Sequence, residues 1–389
     1  MKANPGGQLA PDEVFGRDEL IDRLWRILDR QSIVLGAERR MGKTQVIKKM
    51  EAEAPASKLP IYHDLEGVRS PVEFVELIFH DVEKYLSRWN RTAERARLLL
   101  THLAGGEVAG VKFPDTVAPH WKTLLSQTIE DLVSQQSELQ VVFLWDELPL
   151  MLHNIRVAHG EGVAMELLDT LRALRQSYPS LRMVFTGSIG LHHVLTALRK
   201  AGYINPSTND MFAVEVLPLE QSDAENLAKN LLNGEGIQCS EIAAVAKAIS
   251  TESNYVPFFI HHLVEELAAG HLRGTPELII KIADDRLHDP QDVWHLRHFV
   301  DRVEQYYPAG DVKLARAILD VLAGEPAGLS FDDLFSRVKT HVTTEDADAV
   351  RDMLTLLQRD HYLVHKANGR FVFRLPLVRK AWRIHRALI

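Results

Sequence analysis

Ser32-Ile33-Val34-Leu35-Gly36-Ala37-Glu38-Arg39-Arg40-Met41-Gly42-Lys43-Thr44-Gln45-Val46-Ile47-Lys48-Lys49-Met50 is the stretch whose reading decides the fold. An apolar, strand-like tetrad runs into a tight loop, and Gly-Lys-Thr opens a helix-like segment. That context suits a loop that cradles phosphate. Backbone N–H groups at a helix N-terminus carry partial positive charge and point at an anion. Lys43 can reach the β- and γ-phosphates of a nucleotide, and the Thr44 hydroxyl can ligate Mg²⁺. The strict pattern G-x-x-x-x-G-K-[ST] wants glycine at position 37, where this chain has Ala37. Alanine is the mildest replacement wherever the local φ is negative.

The chain has 389 residues, enough for two or three domains with cores of their own. Forty-five Lys and Arg against 53 Asp and Glu give a net charge of −8, so the whole molecule is no general nucleic-acid binder, although a local basic region still could be. A single cysteine, Cys239, excludes an intramolecular disulfide framework and suits a reducing compartment. Met1-Lys2-Ala3-Asn4-Pro5-Gly6-Gly7 lacks the apolar core of a signal peptide, and no apolar run is long enough to cross a bilayer. The expectation is a soluble cytoplasmic protein without membrane contact, with residues 1–12 as a flexible tail.

Periodicity organises the rest. Residues 16–30 read as an amphipathic helix with Leu20, Leu24, Ile27 and Leu28 on one face. Pro60–Leu65 reads as a second strand, and Ser70-Pro71 opens a helix through Tyr85. A helix near Arg95–Leu103 precedes a Gly-rich loop, and His120–Val133 is again helical. Leu139–Trp145 is largely apolar, as a strand buried on both faces of a parallel sheet should be, and it ends in Asp146-Glu147. A helix over Glu166–Gln176 leads to a strand over Leu181–Phe185, which ends in Thr186-Gly187-Ser188; Phe212–Val216 is a last short strand. This alternation predicts an α/β domain with a mainly parallel sheet. After Pro218 the spacing is helical: Asp223–Leu232, Ser240–Ser250, Pro257–Ala269 and Pro276–His288. Helices over Val312–Leu322, Phe331–Val338 and Ala347–Arg359 follow, then strands over 362–366 and 370–374 joined by an Asn-Gly turn, then a basic helix over Leu377–Leu388. That is the plan of a winged helix-turn-helix.

Ligands of open α/β sheets bind at the carboxyl ends of the strands. Three polar clusters lie at such ends. Asp146 would hold Mg²⁺ beside Thr44, and Glu147 would orient or activate an attacking water. Ser188 would sense the γ-phosphate or that water. Singly, an Asp-Glu pair can be a helix cap and Thr-Gly-Ser a turn. Together with the Gly-Lys-Thr loop, in this order, they point to a nucleotide site.

These residues carry a resemblance to the archaeal-type ATPases of the STAND class, within the AAA+-like P-loop NTPases. Phe15-Gly16-Arg17-Asp18-Glu19-Leu20 resembles their N-terminal Gly-Arg-Glu box, and 37–44 their Arg-Arg-x-Gly-Lys-Thr loop. Leu144–Pro149 resembles their Walker B segment, Phe185–Ser188 their sensor strand, and Leu217-Pro218-Leu219 the junction to a helical lid. Tyr255-Val256-Pro257-Phe258 resembles the lid's Gly-x-Pro segment, with Tyr255 in place of the Gly. The resemblance implies an α/β P-loop NTPase core over 13–217, a lid over 218–308 and a winged helix over 309–389. It implies ATP with Mg²⁺ as ligands. Gly36, Ala37, Arg39, Arg40, Met41, Gly42, Lys43, Thr44 and Gln45 would surround the phosphates, and Gly16, Arg17 and Pro257 the rest of the nucleotide. Lys43, Glu147 and Ser188 would serve catalysis, and Thr44 and Asp146 the metal. It also implies a slow or partner-stimulated ATPase whose nucleotide state moves the lid and winged helix, with a protein partner and a nucleotide-dependent oligomer. Arg172, Arg175 and Arg199 are candidates for an arginine finger.

A second reading is an ATPase that loads or regulates another enzyme on DNA. Arg359, Lys366, Arg370, Arg374, Arg379, Lys380, Arg383 and Arg386 face one acid, Asp360, in the last segment, where winged helices often meet phosphates. Asp348 and Asp352 on the preceding helix oppose that reading. Eighteen histidines, His192-His193 and His261-His262 among them, show no metal-ligand spacing with Cys or carboxylate. Trp294 and Trp382 read as packing residues.

Overall fold

The computed structural model describes residues 1–85, 120–187, 190–342 and 346–388. Its contacts divide the chain into a sheet unit, Asp18–Gly36 with Lys43–Val216, and a helical unit, Met1–Arg17, Ala37–Gly42 and Leu217–Ile389. The expected helix near 95–103 and the loop after it lie outside the described residues, as does Ser188.

In the sheet unit, helix α1 (Asp18–Leu28) buries Ile21, Leu24, Trp25 and Leu28. Strand β1 (Ile33–Gly36) and helix α2 (Lys43–Ala52) flank the Gly-Lys-Thr loop. Strand β2 (Lys58–Asp64) follows, then helix α3 (Pro71–Glu83), whose start is set by Pro71 and by Ser70, whose side chain accepts the Glu73 N–H at 3.2 Å. Helix α4 (Trp121–Gln135), strand β3 (Gln140–Asp146), helices α5 (Leu148–His159) and α6 (Glu161–Ser177), strand β4 (Leu181–Thr186), helix α7 (Leu191–Lys200) and strand β5 (Phe212–Glu215) complete it. Neighbouring strands run in the order β2-β3-β4-β1-β5, all parallel. Val141 through Trp145 of β3 are fully buried, as their unbroken apolar run predicts. The Trp145 ring meets Phe74 edge-on at 5.2 Å and stacks with Phe143 at 4.9 Å, anchoring the strand just before its acidic end.

The expected strands are all present. Helices α5 and α7 were not expected. Pro149 near the start of α5 is the local signal for the first, since proline suits the first turn.

The helical unit begins its main run with α8 (Gln221–Glu235), α9 (Ile242–Glu252), α10 (Pro257–Ala269) and α11 (Pro276–Leu287). Helix α9 packs on α8 and α11, and α10 on α8. Thr275 caps α11 by accepting the Leu278 N–H at 3.2 Å. The first residues of the chain lie on this group: the Ala3 N–H donates to Glu235 Oε1 at 2.8 Å and the Asn4 N–H to His261 Nδ1 at 3.1 Å.

Then come α12 (His298–Tyr306), α13 (Ala309–Ala323), α14 (Phe331–Val338), α15 (Ala347–Arg359), the antiparallel strands β6 (Leu363–His365) and β7 (Phe371–Phe373), and α16 (Pro376–His385). Gly369, at φ 77, closes the hairpin turn. Three helices followed by a hairpin and a closing helix form the expected winged helix-turn-helix. Trp294 and Trp382 are each 1% exposed, in the packing role expected of them.

Candidate nucleotide site

The carboxyl end of the sheet holds Asp146 and Glu147, which the sequence singles out, and adds Asp64, which it did not. Asp64 of β2 is paired in register with Asp146 of β3. The Thr44 hydroxyl, on the first turn of α2, donates to Asp146 Oδ2 at 2.5 Å. The other Asp146 oxygen accepts the Glu147 N–H at 3.0 Å. Asp146 is 3% exposed. Burial pushes its carboxyl above the ordinary range, and the Asp64 charge adds to that; the Thr44 and Glu147 hydrogen bonds and Lys43 oppose it. A buried, hard-oxygen donor set with elevated proton affinity is a chemical fit for a small divalent cation.

Glu147 adopts a left-handed backbone, φ 54, as the cap of α5. Non-glycine residues hold that conformation at a cost of about 1 kcal/mol or more, and such strain clusters at functional sites. Gly187, just past β4, makes room for it. A Cβ there would lie 2.8 Å from Pro149 Cδ and 3.2 Å from Glu147 Oε2, so this position needs glycine for close approach. Thr186 is a residue that the sequence reading passed over in favour of Ser188. It is 1% exposed, and its hydroxyl has no hydrogen-bond partner among the described residues. A buried orphan hydroxyl at a strand's carboxyl end invites a ligand or water partner. Its sequence signal was its place as first of the three residues ending the strand.

Lys43 is buried at the start of α2, with Gln45 two residues on; Gly36 ends β1, paired with Glu215. Two candidate fingers are committed elsewhere. Arg175 makes a two-point ion pair with Asp210, at 2.9 and 3.0 Å, and Arg172 bonds Asn205 and the Pro206 carbonyl. Both brace the loop before β5. Arg199 is exposed on α7.

Within the helical unit, loop residues 37–42 carry two left-handed positions, the backbone feature on which an anion nest is built. Arg40 (φ 72) and Gly42 (φ 87) are left-handed, alternating with residues that are not. Ala37 has no positive φ, so alanine is tolerated there without strain. The Arg40 guanidinium stacks on the Phe258 ring at 4.4 Å, and Arg39 Nη1 donates to His298 Nδ1 at 3.2 Å. Burial, then the Arg39 charge, pushes His298 down to about 3, so it is neutral and free to accept.

Arg17 serves the backbone. Its Nη1 donates to the Leu217 carbonyl at 2.9 Å and its Nη2 to the Met41 carbonyl at 3.0 Å. Burial lowers it to about 10, with Asp223 opposing. Gly16, at φ 66, lets Asp223 and Leu219 approach its Cα side within about a van der Waals contact. Pro257 is the first residue of α10. Tyr255 holds φ 62, a left-handed conformation that favours glycine.

The basic residues of the last segment are largely engaged. Arg386 pairs with Asp320 at 2.8 Å, Lys380 with Glu252 at 3.4 Å, Arg379 donates to the Ala323 carbonyl and Arg370 to that of Gly328. Among the described residues no helix is long and apolar enough to cross a membrane.

No family model and no curated protein sequence matches the chain. Solved structures do match it. The Walker-type ATPase of Pyrococcus abyssi aligns with a TM-score of 0.69 at 15% identity, covering 99% of this chain and all of that one. The ORC2 protein of Aeropyrum pernix, in its ADPNP-ADP complexes, aligns with a TM-score of 0.58 at 13% identity, covering 98% and 96%. At these identities the likeness is one of fold. The expected architecture, a parallel α/β sheet flanked by helices, then a helical region and a C-terminal winged helix with its small antiparallel pair, is the one observed.

Proposed function

We propose that the chain is a Mg-ATP-binding and -hydrolysing molecular switch, turning over slowly or on stimulation by a protein partner, whose lid and winged helix read the nucleotide state. The observation that carries this reading is the 2.5 Å contact of Thr44 with Asp146, which joins the end of the phosphate loop to the acidic end of β3. The fold shared with a protein solved with ADPNP and ADP supports an adenine nucleotide.

The nest N–H groups and Lys43 would bind the phosphate oxygens. Thr44 and Asp146 would hold a magnesium ion, which supplies positive charge to those oxygens. Glu147 would accept a proton from, or orient, the attacking water. Thr186, with Ser188 beyond it, would hold that water or the γ-phosphate by a hydrogen bond. Such preorganised polar groups supply most of the stabilisation in phosphoryl transfer.

The internal pairing of Arg370, Arg379, Lys380 and Arg386 gives the DNA-loading alternative less support. Salt-dependent DNA retention lost on reversing Arg370, Arg374 and Arg379 would restore it.

The test combines fluorescent-nucleotide binding with phosphate release. Lys43→Ala should lose ATP binding. Glu147→Gln should keep ATP while hydrolysis falls about a hundredfold or more. Unchanged turnover in the Glu147 variant removes it from catalysis. A wild-type chain that binds no adenine nucleotide, with or without Mg²⁺, overturns the reading.

A further inference from the structure

Glu38, second residue of the loop, is 2% exposed. Its Oε1 accepts two hydrogen bonds: from the Arg39 backbone N–H at 2.8 Å, and from Arg302 Nη1 at 3.0 Å. Arg302, on α12, is 3% exposed, and its other nitrogen reaches Asp360, donating to the carboxylate Oδ1 and the main-chain carbonyl at 3.3 Å each. Asp360 is fully buried at the end of α15, one of the winged helix's three helices, and also accepts the Tyr307 hydroxyl. The Tyr362 ring lies 5.5 Å from the Arg302 guanidinium, and its hydroxyl donates to the Phe299 carbonyl at 2.6 Å. One buried guanidinium thus spans the phosphate loop and the winged helix.

Such a cluster is costly. Desolvating three charges is repaid only when each is well bonded, and an apolar replacement of similar shape is often as stable. Its use is better sought in specifying one arrangement. The peptide between Glu38 and Arg39 is oriented by the Glu38 carboxylate, that carboxylate is held by Arg302, and Arg302 is held by Asp360. At its other end the loop is held by Arg17 through the Met41 carbonyl. Nest geometry depends on which way each peptide faces.

Resting on the nucleotide reading above, we propose that Arg302 is a positioning residue for the phosphate loop, and that through Asp360 it couples nucleotide affinity to the docking of the winged helix. Nucleotide that favours the loop geometry held by Arg302 also favours the docked winged helix. By linkage, whatever loosens Asp360 weakens nucleotide binding by the same factor.

The experiment uses the full chain. Nucleotide affinity is measured for wild type, Glu38→Gln, Asp360→Asn and the double variant, each shown to be folded by a cooperative melt. Hydrogen exchange over residues 346–388 is followed with and without Mg-ATP. Asp360→Asn, although remote from the phosphates in sequence and partners, should weaken nucleotide binding about tenfold, and the double variant should lose less than the two singles combined. Nucleotide should slow exchange over 346–388 in wild type and not in Glu38→Gln. Should Asp360→Asn fail to fold, Arg302→Lys, which keeps the charge but loses the two-sided reach, should show the same loss. Wild-type affinity in a folded Asp360→Asn or Arg302→Lys chain, or exchange insensitive to nucleotide in wild type, overturns the coupling and leaves the nucleotide site standing. A wild-type chain that binds no nucleotide removes both.

Discussion

At the scale of single residues, Asp146 is where environment and chemistry meet. Its carboxyl titrates above the ordinary range because it is buried beside Asp64. In the metal-free chain, protonation therefore relieves a penalty as pH falls. Cation binding needs the ionised form, so it runs the opposite way. Magnesium-dependent nucleotide affinity should fall as pH drops through a range higher than that of a free carboxylate. Asp146→Asn should remove this part of the pH dependence, leaving that of the nucleotide itself. Calorimetric titrations of Mg-ATP from pH 8 to 5 on both chains measure it. The same scale shows what sequence could and could not convey. The meeting of Thr44 with Asp146 was legible because a helix-opening Gly-Lys-Thr and an acidic strand end are local patterns that an α/β sheet brings together. The work of Glu38 was not, since its partner Arg302 stands 264 residues away and neither belongs to a local pattern. Arg17, expected near the nucleotide, donates to two backbone carbonyls, contacts that no spacing encodes.

At the scale of elements, helices and strands with strong punctuation were the readable ones. Ser70-Pro71, Thr275-Pro276 and the apolar run of β3 each state a boundary or a burial pattern locally. Helix α7 carries two adjacent histidines and has no capping side chain, so little marks its start. Caps that are present should have measurable weight. Asp346 accepts the Asp348 and Ala349 N–H groups at 2.9 and 3.1 Å at the head of α15. Asp346→Ala should lower stability by about 1 kcal/mol, read as a shift in the denaturant midpoint. The order β2-β3-β4-β1-β5 was beyond sequence reading, because pairing between strands is decided by packing across the sheet rather than by any one strand's residues.

At the scale of the molecule, the helical unit carries histidines that fold in their neutral form. Burial takes His261 and His262 down to about 4 and His298 to about 3, with arginine charges adding to the last two. Their ordinary value is 6.5, so the unfolded chain binds more protons than the folded one between those limits. The stability they contribute is whole above pH 6.5 and is lost as pH falls toward 4. Melting temperatures from pH 7.5 to 4.5 should decline accordingly, and His261→Gln should flatten the decline.

The wide separation of Glu38 from Arg302 has a consequence in time. A ribosome adding about 5–20 residues per second needs roughly 13–50 s to extend the chain across those 264 positions. For that interval the newly made loop exists without the arginine that orients it. The loop gains its contact with Arg302 only once synthesis has passed that residue, so a chain cut short before then would emerge with the Gly-Lys-Thr motif intact and this brace missing.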